Sequence, residues 1–537
     1  MVPAVEELKI VPSPADALQA FAGSDGLILF DSALQRGRLG RYSFLAADPI
    51  ATFNVERAEY SSDPFSPVRA TVARLSDQFQ VKRLPDLPPF QGGVAGMLSY
   101  ELGGCWERIP RTGKDEFELP DAWFGIYDWV LAWDHQQDRA WVISHGLPKI
   151  EGPDADQTER STCEVDLSDC ADRAAAKIQD VVAKLSSSDK DRTSEAGRTL
   201  NAQHRNADPL PDSELAKQHS LPGWDGVTSD FTREDYLTAV ARVIEFIHAG
   251  DIFQANLSQR LLARCDVPPT ELYSTLRDCN PAPFAGFLAH DDWAVVSASP
   301  ERFLRVENGV VETRPIKGTR RRRTGPEADL FTRDELRQSE KDVAENVMIV
   351  DLLRNDLSRV CEPGSISVPE LCVVETYETV QHLVSEIRGT LKEFQVPGSR
   401  FQVDGADYAQ SKSQLGTLNM EHGTEKCDLW SLLAASFPGG SITGAPKVRA
   451  MEIISELEPT VRGPYCGSLF YSGFDGTFDS SILIRSFVCR RGWVQCRVGG
   501  GIVAQSEPAA EYEETLHKAE GMLRALQRCG LCQPTSK

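Results

Sequence analysis

Residues 299–320 read S-P-E-R-F-L-R-V-E-N-G-V-V-E-T-R-P-I-K-G-T-R, and the rest of the fold is organised around this stretch. Apolar runs flank Asn308-Gly309, a dipeptide that favours a two-residue hairpin turn. The pattern predicts two antiparallel strands, which bring Glu301 back beside the segment leading to Lys317. A carboxylate beside a lysine can act as an acid and nucleophile pair, and an ordinary surface salt bridge is the alternative interpretation.

Six basic residues lie within the ten positions from Arg314 to Arg323, although the whole chain has a net charge of −22. A local positive field of this kind predicts an anionic ligand. Lys317 stands apart from the arginines, between Pro-Ile and Gly-Thr, where proline restricts the backbone and glycine frees it to aim one ammonium group. We therefore predict that Lys317 carries the chemistry. A nucleic-acid or polyanion module built on Arg320 to Arg323 is the rival interpretation.

The bulk composition favours an enzyme that acts on small molecules. The 537 residues are 41% hydrophobic, enough for a large core, and a pI near 5.0 argues against a nucleic-acid binder. The sequence contains neither a long apolar run nor a signal peptide, so we expect a cytoplasmic protein without a membrane span. The thirteen cysteines are scattered, which predicts reduced thiols. For the C-x-x-C at Cys529 to Cys532, a frayed terminus is favoured over a metal or redox role.

The pattern of apolar runs and polar stretches divides the chain into four regions. A helix with one apolar face is expected at 171–185, inside a polar region whose later part, 186–229, is expected to be a flexible linker. The predicted regions are a strand-rich N-terminal region at 1–147, a polar linker or insertion with one helix at 148–229, a catalytic domain at 230–527 with a polar insertion at 392–426, and a tail at 528–537.

Two predicted helices each carry a pair of carboxylates. The first begins near Ser339 and places Asp342 and Glu345 on one face, away from an apolar face. The second begins near Ser506 and Pro508 and places Glu511, Glu514 and Lys518 opposite an apolar stripe. Together the helices can hold Mg²⁺, whereas two solvated helix faces are the alternative. The predicted apolar faces consist of Val343, Val347, Val350 and Leu353 in the first helix and of Leu516, Ala519, Met522, Leu523 and Leu526 in the second.

Glycine-rich stretches and one polar strand face complete the candidate site. Residues 437–447 superficially suggest a phosphate loop, but Ala445-Pro446 stands where that loop needs Lys-Ser/Thr, and Pro446 removes a backbone donor. The stretch therefore predicts a turn that opens a helix. Residues 498–501 permit a close approach of backbone to a ligand. On the strand predicted at 252–262, Gln254 can line a site, although a solvated strand face is the alternative.

Together these motifs resemble the chorismate-utilising enzyme family over residues 230–527. The resemblance implies a mixed α/β (α+β) fold with two interlocked subdomains of mostly antiparallel β-sheet, which form a sandwich flanked by helices. Members that form anthranilate have alanine where Lys317 stands, and usually E-x-x-E-H where this chain has D-x-x-E-N. The resemblance therefore points to the members that form 4-amino-4-deoxychorismate. It rests on S-P-E-R-F-L at 299–304, P-I-K-G-T-R at 315–320, D-x-x-E-N at 342–346, D-L-x-R-N-D-L at 351–357, H-L-V-S at 382–385, F-P-G-G-S-I-T-G-A-P-K at 437–447 and G-G-G-I-V at 499–503.

The resemblance also implies roles for individual residues. Glu345 and Glu514 would ligate Mg²⁺, with Asp342 and Glu511 in support, and the metal would hold the ring carboxylate of chorismate. Gln254 occupies the position of a water-activating lysine in salicylate-forming relatives. In the N-terminal region, five residues fall near a tryptophan site of relatives, although Asp31 stands where those have glutamate. The substrate pocket would be lined by Thr319, His382, Tyr465, Arg485, Gly501 and Lys518, and the tryptophan site by Asp31, Ser32, Tyr42, Ser43 and Phe44.

The mechanism expected from this pattern is covalent. Lys317 attacks C2 of chorismate, Glu301 protonates the departing C4 hydroxyl, and ammonia then displaces the lysine. The lysine must be neutral to attack, so we expect the neighbouring arginines and the metal to lower its pKa from about 10.4. None of the thirteen cysteines lies in a G-x-C-x-G motif, so the ammonia is expected from a separate glutamine amidotransferase subunit.

Overall fold

The computed structural model describes residues 1–35, 39–150, 167–186, 209–322, 326–376, 380–392 and 428–535. Nearly all of the predicted insertion at 392–426, the linker residues 187–208 and Arg323 lie outside the described residues. Across the described ranges, no helix is long and apolar enough to cross a membrane. The strands are β1 (Ala4–Glu7), β2 (Leu27–Asp31), β3 (Tyr42–Ala46), β4 (Ala51–Val55), β5 (Gly93–Leu98), β6 (Ala122–Tyr127), β7 (Trp129–Asp134), β8 (Arg139–Ser144), β9 (His219–Ser220), β10 (Trp224–Asp225), β11 (Val227–Ser229), β12 (Gln254–Arg264), β13 (Phe284–His290), β14 (Trp293–Ser299), β15 (Arg302–Glu307), β16 (Val310–Thr313), β17 (Ile316–Arg321), β18 (Ser367–Thr376), β19 (Val380–Thr390), β20 (Gly444–Ala445), β21 (Ser468–Gly473), β22 (Phe478–Ile482), β23 (Ser486–Arg490), β24 (Trp493–Ile502) and β25 (Gln533–Pro534). The α-helices are α1 (Pro14–Ala20), α2 (Ser66–Phe79), α3 (Leu167–Ser186), α4 (Arg233–His248), α5 (Pro269–Cys279), α6 (Pro326–Gln338), α7 (Glu340–Ser358), α8 (Leu429–Ser436), α9 (Lys447–Leu457) and α10 (Pro508–Arg528).

Two large antiparallel sheets interlock the N-terminal and C-terminal halves of the chain. The larger has the order β1-β8-β7-β3-β2-β13-β14-β23-β24-β12-β11-β9, with β20 attached to β12. The smaller has the order β17-β19-β16-β15-β22-β21-β5-β6-β4, with β18 attached to β19. Strands from residues 1–147 thus lie in both sheets beside strands from beyond residue 230. The predicted fold of interlocked antiparallel subdomains is confirmed.

The strands alternate their side chains between a central core and an outer core, as the period of two requires. In β5, Ala95 and Met97 enter the core between the two sheets, whereas Val94 and Leu98 face the outer layer. Helices α2, α7 and α8 cover the smaller sheet, and α1, α3, α5 and α10 cover the larger one. Both faces of each sheet are therefore buried, which explains the long apolar runs in the sequence.

The predicted hairpin at residues 299–320 is present. Asn308 and Gly309 have φ of 51° and 74°, the left-handed pair that a tight two-residue turn requires, and β15 pairs with β16. Beyond the turn, the register of β17 against β19 shifts between Lys317 and Thr319. Gly318, with φ of 75°, lies at this bulge. The bulge re-aims the side chain of Lys317, which is the effect predicted for the glycine at this position.

Two segments placed outside the folded body by the sequence are part of it. Residues 219–229, assigned to the polar linker, form β9, β10 and β11, and β11 pairs with β12 of the larger sheet. The tail assigned to 528–537 returns to the fold, because β25 pairs with β10 and Cys532 is buried. The short polar strands lack the apolar alternation that marks the longer ones. Helix α3 matches its prediction, with Ile178 and Val181 buried.

Candidate active site

Lys317 and Glu301 meet at the loop that precedes α9. The Lys317 ammonium donates to the backbone carbonyl of Ser441 at 2.9 Å. The Ser441 hydroxyl donates to Oε1 of Glu301 at 3.0 Å. The backbone N–H of Ile316 also donates to the Glu301 carboxylate. One serine therefore holds both groups, and the arrangement differs from the surface salt bridge that was the alternative, since Glu301 is 5% exposed.

The surroundings shift both groups toward their neutral forms. Burial lowers the pKa of Lys317, and Lys518 lowers it further, although Glu345 and Glu301 oppose the change. Burial raises the pKa of Glu301, against the opposing effects of Lys317 and the Ser441 hydrogen bond. The arginines that were expected to depress the lysine pKa are not among the main causes. Desolvation does this instead, because it penalises the charged form of either group.

Arg314, Arg320 and Arg322 of the basic stretch are paired with carboxylates. Arg314 is 7% exposed and contacts Glu386 at 2.6 Å, with Glu370 and Glu375 also in reach. Arg320 binds Asp342 at 2.8 Å, and Arg322 binds Asp329 at 2.7 Å. These ion pairs join β17 and its flanking residues to β19, α7 and α6, so the three arginines have a structural role.

The two acidic helices converge on the site as predicted, with one change of face. In α10 the predicted stripe packs inward, since Ala519, Met522, Leu523 and Leu526 are buried. In α7, Val350 and Leu353 are buried as predicted, but the rest of the buried face differs. Val347 is exposed, and the buried positions include Asn346 and Ile349. The sequence pattern missed this because Asn346 is polar yet fully buried. Its amide donates to Leu383 O at 3.3 Å and fastens α7 to β19.

Lysine side chains separate the carboxylates of the two helices. Glu514 binds Lys518 at 2.7 Å, and Glu511 binds Lys341 at 3.1 Å. Burial would raise the pKa of Glu514, but Lys518, Lys341 and Lys317 lower it below its ordinary value. No three of these carboxylates among the described residues bring their oxygens within 4.8 Å of one another.

The pKa of Glu345 is raised in part by the carboxylates that lie near it. Burial raises the pKa of its carboxyl, and Asp342 and Glu511 raise it further, against the opposing effects of Lys317 and Lys341. A divalent cation bound by these hard oxygen donors would relieve that repulsion. The residues therefore fit the predicted ion, and Mg²⁺ binding stays a prediction.

Three glycines on β24 let the site close around these side chains. A Cβ on Gly499 would lie 2.3 Å from Leu257 O of the neighbouring β12, and one on Gly501 would lie 1.9 Å from the amide nitrogen of Gln254. Gly500 faces Glu511, Lys518 and Glu514 at 3.4–3.7 Å from such a Cβ. Lys518 in turn donates to Gly499 O at 2.9 Å. A side chain at Gly501 would therefore displace Gln254, and one at Gly499 would collide with the backbone of β12.

Gln254 is the clearest candidate for a ligand-facing amide. Its side chain is 1% exposed, and its Oε1 is a buried acceptor without a hydrogen-bond partner in the described part of the chain. Asn256 and Ser258 on the same strand face are also buried, so the solvated strand face considered from the sequence is not present. A buried unpaired acceptor is costly unless a ligand supplies the donor.

The remaining residues predicted for the pocket are Thr319, His382, Tyr465 and Arg485. Burial, with Arg485, lowers the pKa of His382 to about 3, so this imidazole is neutral. Thr319 pairs with His382 in the backbone ladder between β17 and β19. Arg485 is a non-glycine residue with φ of 53° between β22 and β23, and burial lowers its pKa although Glu301 opposes the change. Tyr465 is 8% exposed.

Sequence reasoning missed Ser441 and Lys341. Ser441 lies in the glycine-rich stretch, whose resemblance to a phosphate loop suggests backbone donors, whereas its role here is that of a carbonyl that accepts from a lysine. Lys341 stands between the two acidic positions 340 and 342 and looks like a surface charge. Burial would lower its pKa, but Glu511, Glu345 and Glu514 raise it above its ordinary value.

The residues predicted for a tryptophan site lie together at the ends of β2 and β3. Asp31 is 2% exposed and accepts from Arg277 at 2.6 Å, from Tyr273 at 2.8 Å and from Ser43 at 3.1 Å. Ser32 donates to Tyr42 O at 2.6 Å. Phe44 packs between the sheets. Donors within the chain thus engage both Asp31 oxygens, and tryptophan binding stays a prediction.

A lysine whose pKa is lowered, a buried carboxyl and two acidic helices together form a candidate enzyme site at the edge of an antiparallel sandwich. The chain belongs to the chorismate binding enzyme family, whose pattern matches residues 28–395 and 422–524. It is 37% identical over 498 residues to aminodeoxychorismate synthase component 1 of Salmonella typhimurium, covering 91% of this chain and 90% of that protein.

Relatives with another name are almost as similar. Anthranilate synthase component 1 of Thermus thermophilus is 36% identical over 504 residues, covering 92% of this chain and 91% of that protein. Among solved structures, anthranilate synthase component I of Streptococcus pneumoniae has a TM-score of 0.65 at 25% identity and covers 91% and 93% of the two chains. The Escherichia coli isochorismate synthase MenF shares the fold, with a TM-score of 0.63 at 15% identity and coverage of 98% and 95%.

Proposed function

We propose that this chain is component I of an aminodeoxychorismate synthase, which converts chorismate and ammonia to 4-amino-4-deoxychorismate. The observation that carries the proposal is Lys317, a partly buried lysine that contacts Ser441 O at the position where the anthranilate-forming pattern has alanine. Overall identity cannot choose between the two reactions, because relatives of both names are 36–37% identical to this chain. The choice therefore rests on the chemistry of one side chain.

The proposed first step forms a bond between Lys317 Nζ and C2 of chorismate. As this bond forms, the ring double bonds shift and the C4–O bond breaks, and the Glu301 carboxyl gives the departing oxygen its proton, so that water leaves. Ammonia then adds at C4, the double bonds shift back, and the lysine leaves C2 as an amine. The directions of both pKa shifts suit these roles, since a lowered lysine pKa favours the free amine and a raised carboxyl pKa favours the acid.

Glu345 and Glu514 would hold Mg²⁺ in this proposal, with Asp342 and Glu511 beside them. When bound, the ion supplies positive charge that neutralises the ring carboxylate of the substrate. Lys518 and Arg485 would contact the remaining carboxylate of chorismate. Depleting the protein of divalent ions should abolish turnover, and Mg²⁺ should restore it in wild type but only weakly in Glu345→Gln.

Gln254 would accept a hydrogen bond from the incoming ammonia or from the substrate, because its Oε1 is buried without a partner among the described residues. An amide cannot remove a proton from water as a lysine can, so water addition is disfavoured at this position. The ammonia would come from a separate glutamine amidotransferase subunit. The pure chain should therefore turn over with ammonium salts and not with glutamine alone.

The deciding experiment incubates the pure chain with chorismate, Mg²⁺ and ammonium, and identifies the product by mass. We expect 4-amino-4-deoxychorismate, with no pyruvate released. Without ammonium, intact mass should show a chorismate-derived adduct on wild type. Lys317→Ala removes the nucleophile, and Lys317→Arg keeps the charge without it, so both should lack the adduct. An adduct that persists in both variants would contradict the assignment of Lys317.

Anthranilate synthase component I is the second candidate, favoured by the Thermus thermophilus relative and by the Streptococcus pneumoniae structure. That reaction releases pyruvate and yields fluorescent anthranilate. Fluorescence that grows in step with pyruvate in the same incubation would establish it and overturn the first proposal.

A further inference from the structure

A cavity of about 450 Å³ lies beside the short 3-10 helix Tyr100–Cys105 and the C-terminal end of α9. Its wall combines the apolar side chains of Met451 and Ile454 with the carboxyls of Glu101 and Glu107. The reaction proposed above uses no residue of this wall. Hydrogen bonds nevertheless join Glu101 to a segment that leads to the candidate active site.

Glu101 holds the backbone of the segment that follows α9. Its Oε1 accepts from the N–H of Arg462 at 2.7 Å, and its Oε2 accepts from the N–H of Gly463 at 2.9 Å. The N–H of Tyr100 donates to Gly463 O at 2.8 Å. Gly463 has φ of 58°, so the chain turns at this point. Two successive amides and one carbonyl of a turn are thus fixed from a helix that lies more than 360 residues earlier in the sequence.

The segment held in this way carries Tyr465, a residue predicted for the substrate pocket. The N–H of Tyr465 donates to Arg462 O at 3.3 Å, and the Arg462 guanidinium lies 5.7 Å from the centre of the Tyr465 ring. The side chain of Arg462 is bound independently of Glu101, because it donates to both oxygens of Glu458 at 2.6 and 3.0 Å. Release of the two amides would therefore displace the backbone that leads to Tyr465 more than the loop at Ser441.

The surroundings of Glu101 compensate its charge only in part. Burial raises the pKa of this carboxyl to about 7, although Arg111 and the N–H of Arg462 oppose the change, and Asp121 adds to the rise. The guanidinium of Arg111 binds Asp121 at 2.8 Å, and that of Arg462 binds Glu458 at 2.6 Å, so both cations are engaged with other carboxylates. The Glu101 carboxyl therefore changes its charge near neutral pH. The charged side chains that line the cavity or act on this carboxyl lie after the 3-10 helix (Glu107, Arg108, Arg111), before β6 (Asp121) and after α9 (Glu458, Arg462).

We propose that Glu101 is a positioning residue, whose carboxylate fixes the turn at Arg462 and Gly463 and thereby the place of Tyr465, and that protonation of the carboxyl loosens this turn. The carboxylate accepts from both amides, whereas in the neutral acid one oxygen carries a proton and becomes a donor. The hydrogen bonds to the charged form are also the stronger ones. The inference rests on the proposed use of chorismate as the substrate and on the predicted place of Tyr465 in its pocket, and it holds for either product.

The first test measures hydrogen exchange at the backbone amides of Arg462 and Gly463 in the full chain. Glu101→Gln has the size of the native side chain but keeps only one acceptor oxygen, so at about pH 8 these amides should exchange about tenfold faster than in wild type. The difference should shrink at about pH 6, where the wild-type carboxyl is protonated. Glu107→Gln removes a carboxylate from the same cavity wall and should exchange like wild type. Unchanged exchange in Glu101→Gln at the higher pH would overturn the proposal.

The second test measures KM and kcat from the rate at which chorismate is consumed, a readout that does not depend on which product forms. In wild type and in Glu107→Gln, KM for chorismate should rise by roughly three- to tenfold as the pH falls through about 7. In Glu101→Gln it should be high at every pH, with a smaller change in kcat. Faster amide exchange with an unchanged KM would overturn the role of Glu101 in the substrate pocket. If the variant does not fold, exchange of the two amides in wild type at both pH values, corrected for intrinsic rates, decides whether protonation loosens the turn.

Discussion

Two groups of ionisable side chains contact the loop at Ser441 and Ile442, and they differ in the number of hydrogen bonds that they make. The first, which we call the Arg462 cluster, consists of Asp230, Glu458, Arg462 and Arg497. Arg462 donates to both Glu458 oxygens at 2.6 and 3.0 Å and to Ile442 O at 3.2 Å. Glu458 also accepts from the backbone and hydroxyl of Ser258, both at 2.9 Å. The second group, around Lys317, has far fewer bonds, and Ser441 supplies two of them.

The difference indicates that the Arg462 cluster has a structural role, whereas Lys317 and Glu301 are available for chemistry. Ile442, which Arg462 holds, directly follows Ser441, which holds Lys317. The densely bonded cluster therefore fixes the loop that positions the sparsely bonded pair. Burial shifts the pKa of Lys317 and the pKa of Glu301 toward the neutral form of each group, and the opposing charges nearby do not cancel this effect. In contrast, the pKa of Arg462 is raised, since Glu458 and Tyr100 outweigh the burial that would lower it.

The largest effect on stability is expected from Arg462→Met. This change leaves Glu458 as a buried carboxylate without its main partner, which costs about 3–5 kcal/mol in the free energy of unfolding. Denaturant unfolding followed by tryptophan fluorescence measures the loss. The double variant with Glu458→Gln removes the stranded charge and should recover part of it. A loss below about 1 kcal/mol would mean that the cluster is not the scaffold described above.

A smaller effect, of opposite sign, is expected from Lys317→Met. The pKa of Lys317 is lower in the folded than in the unfolded chain, so its protonation opposes folding at neutral pH. The variant should be more stable than wild type at pH 7, by about 0.5–2 kcal/mol. The difference should shrink as the pH rises toward the ordinary lysine value, because the unfolded chain then also loses the proton.

Lys447 provides the matched control for that prediction. It is another largely buried lysine, but it binds Asp356 at 2.7 Å and Ser436 O at 3.0 Å. Lys447→Met should therefore destabilise the protein, since Asp356 would be left without its cation. If both lysine variants moved the unfolding midpoint in the same direction, the distinction between bonded and sparsely bonded charges would not hold.

The features around the candidate site that could be predicted from the sequence are those that local rules govern. Asn308-Gly309 specified the hairpin, and Gly318 permitted the bulge that aims Lys317. Contacts between distant segments could not be predicted in this way. The Ser441 bridge joins positions 124 and 140 residues apart, and the short strands β9 to β11 gain their order only from the longer strands and from β25.

The smallest effect is expected from Ser441→Ala, which removes one of the two hydrogen bonds that Ser441 makes in the site. Ser441→Ala removes the hydroxyl that donates to Glu301 but keeps the carbonyl that holds Lys317. Because that hydroxyl bond lowers the pKa of Glu301, its loss should raise this pKa further. In the pH profile of ammonium-dependent turnover, the limb that reports Glu301 should move to higher pH, and the limb that reports Lys317 should stay in place. The maximal rate should fall by less than about tenfold, since one hydrogen bond is lost.

Ser441→Thr keeps a hydroxyl and should retain the wild-type profile. A shift of both limbs in Ser441→Ala would show that the loop itself has moved, in which case the Arg462 cluster does not fix it and the two groups of charges are not independent.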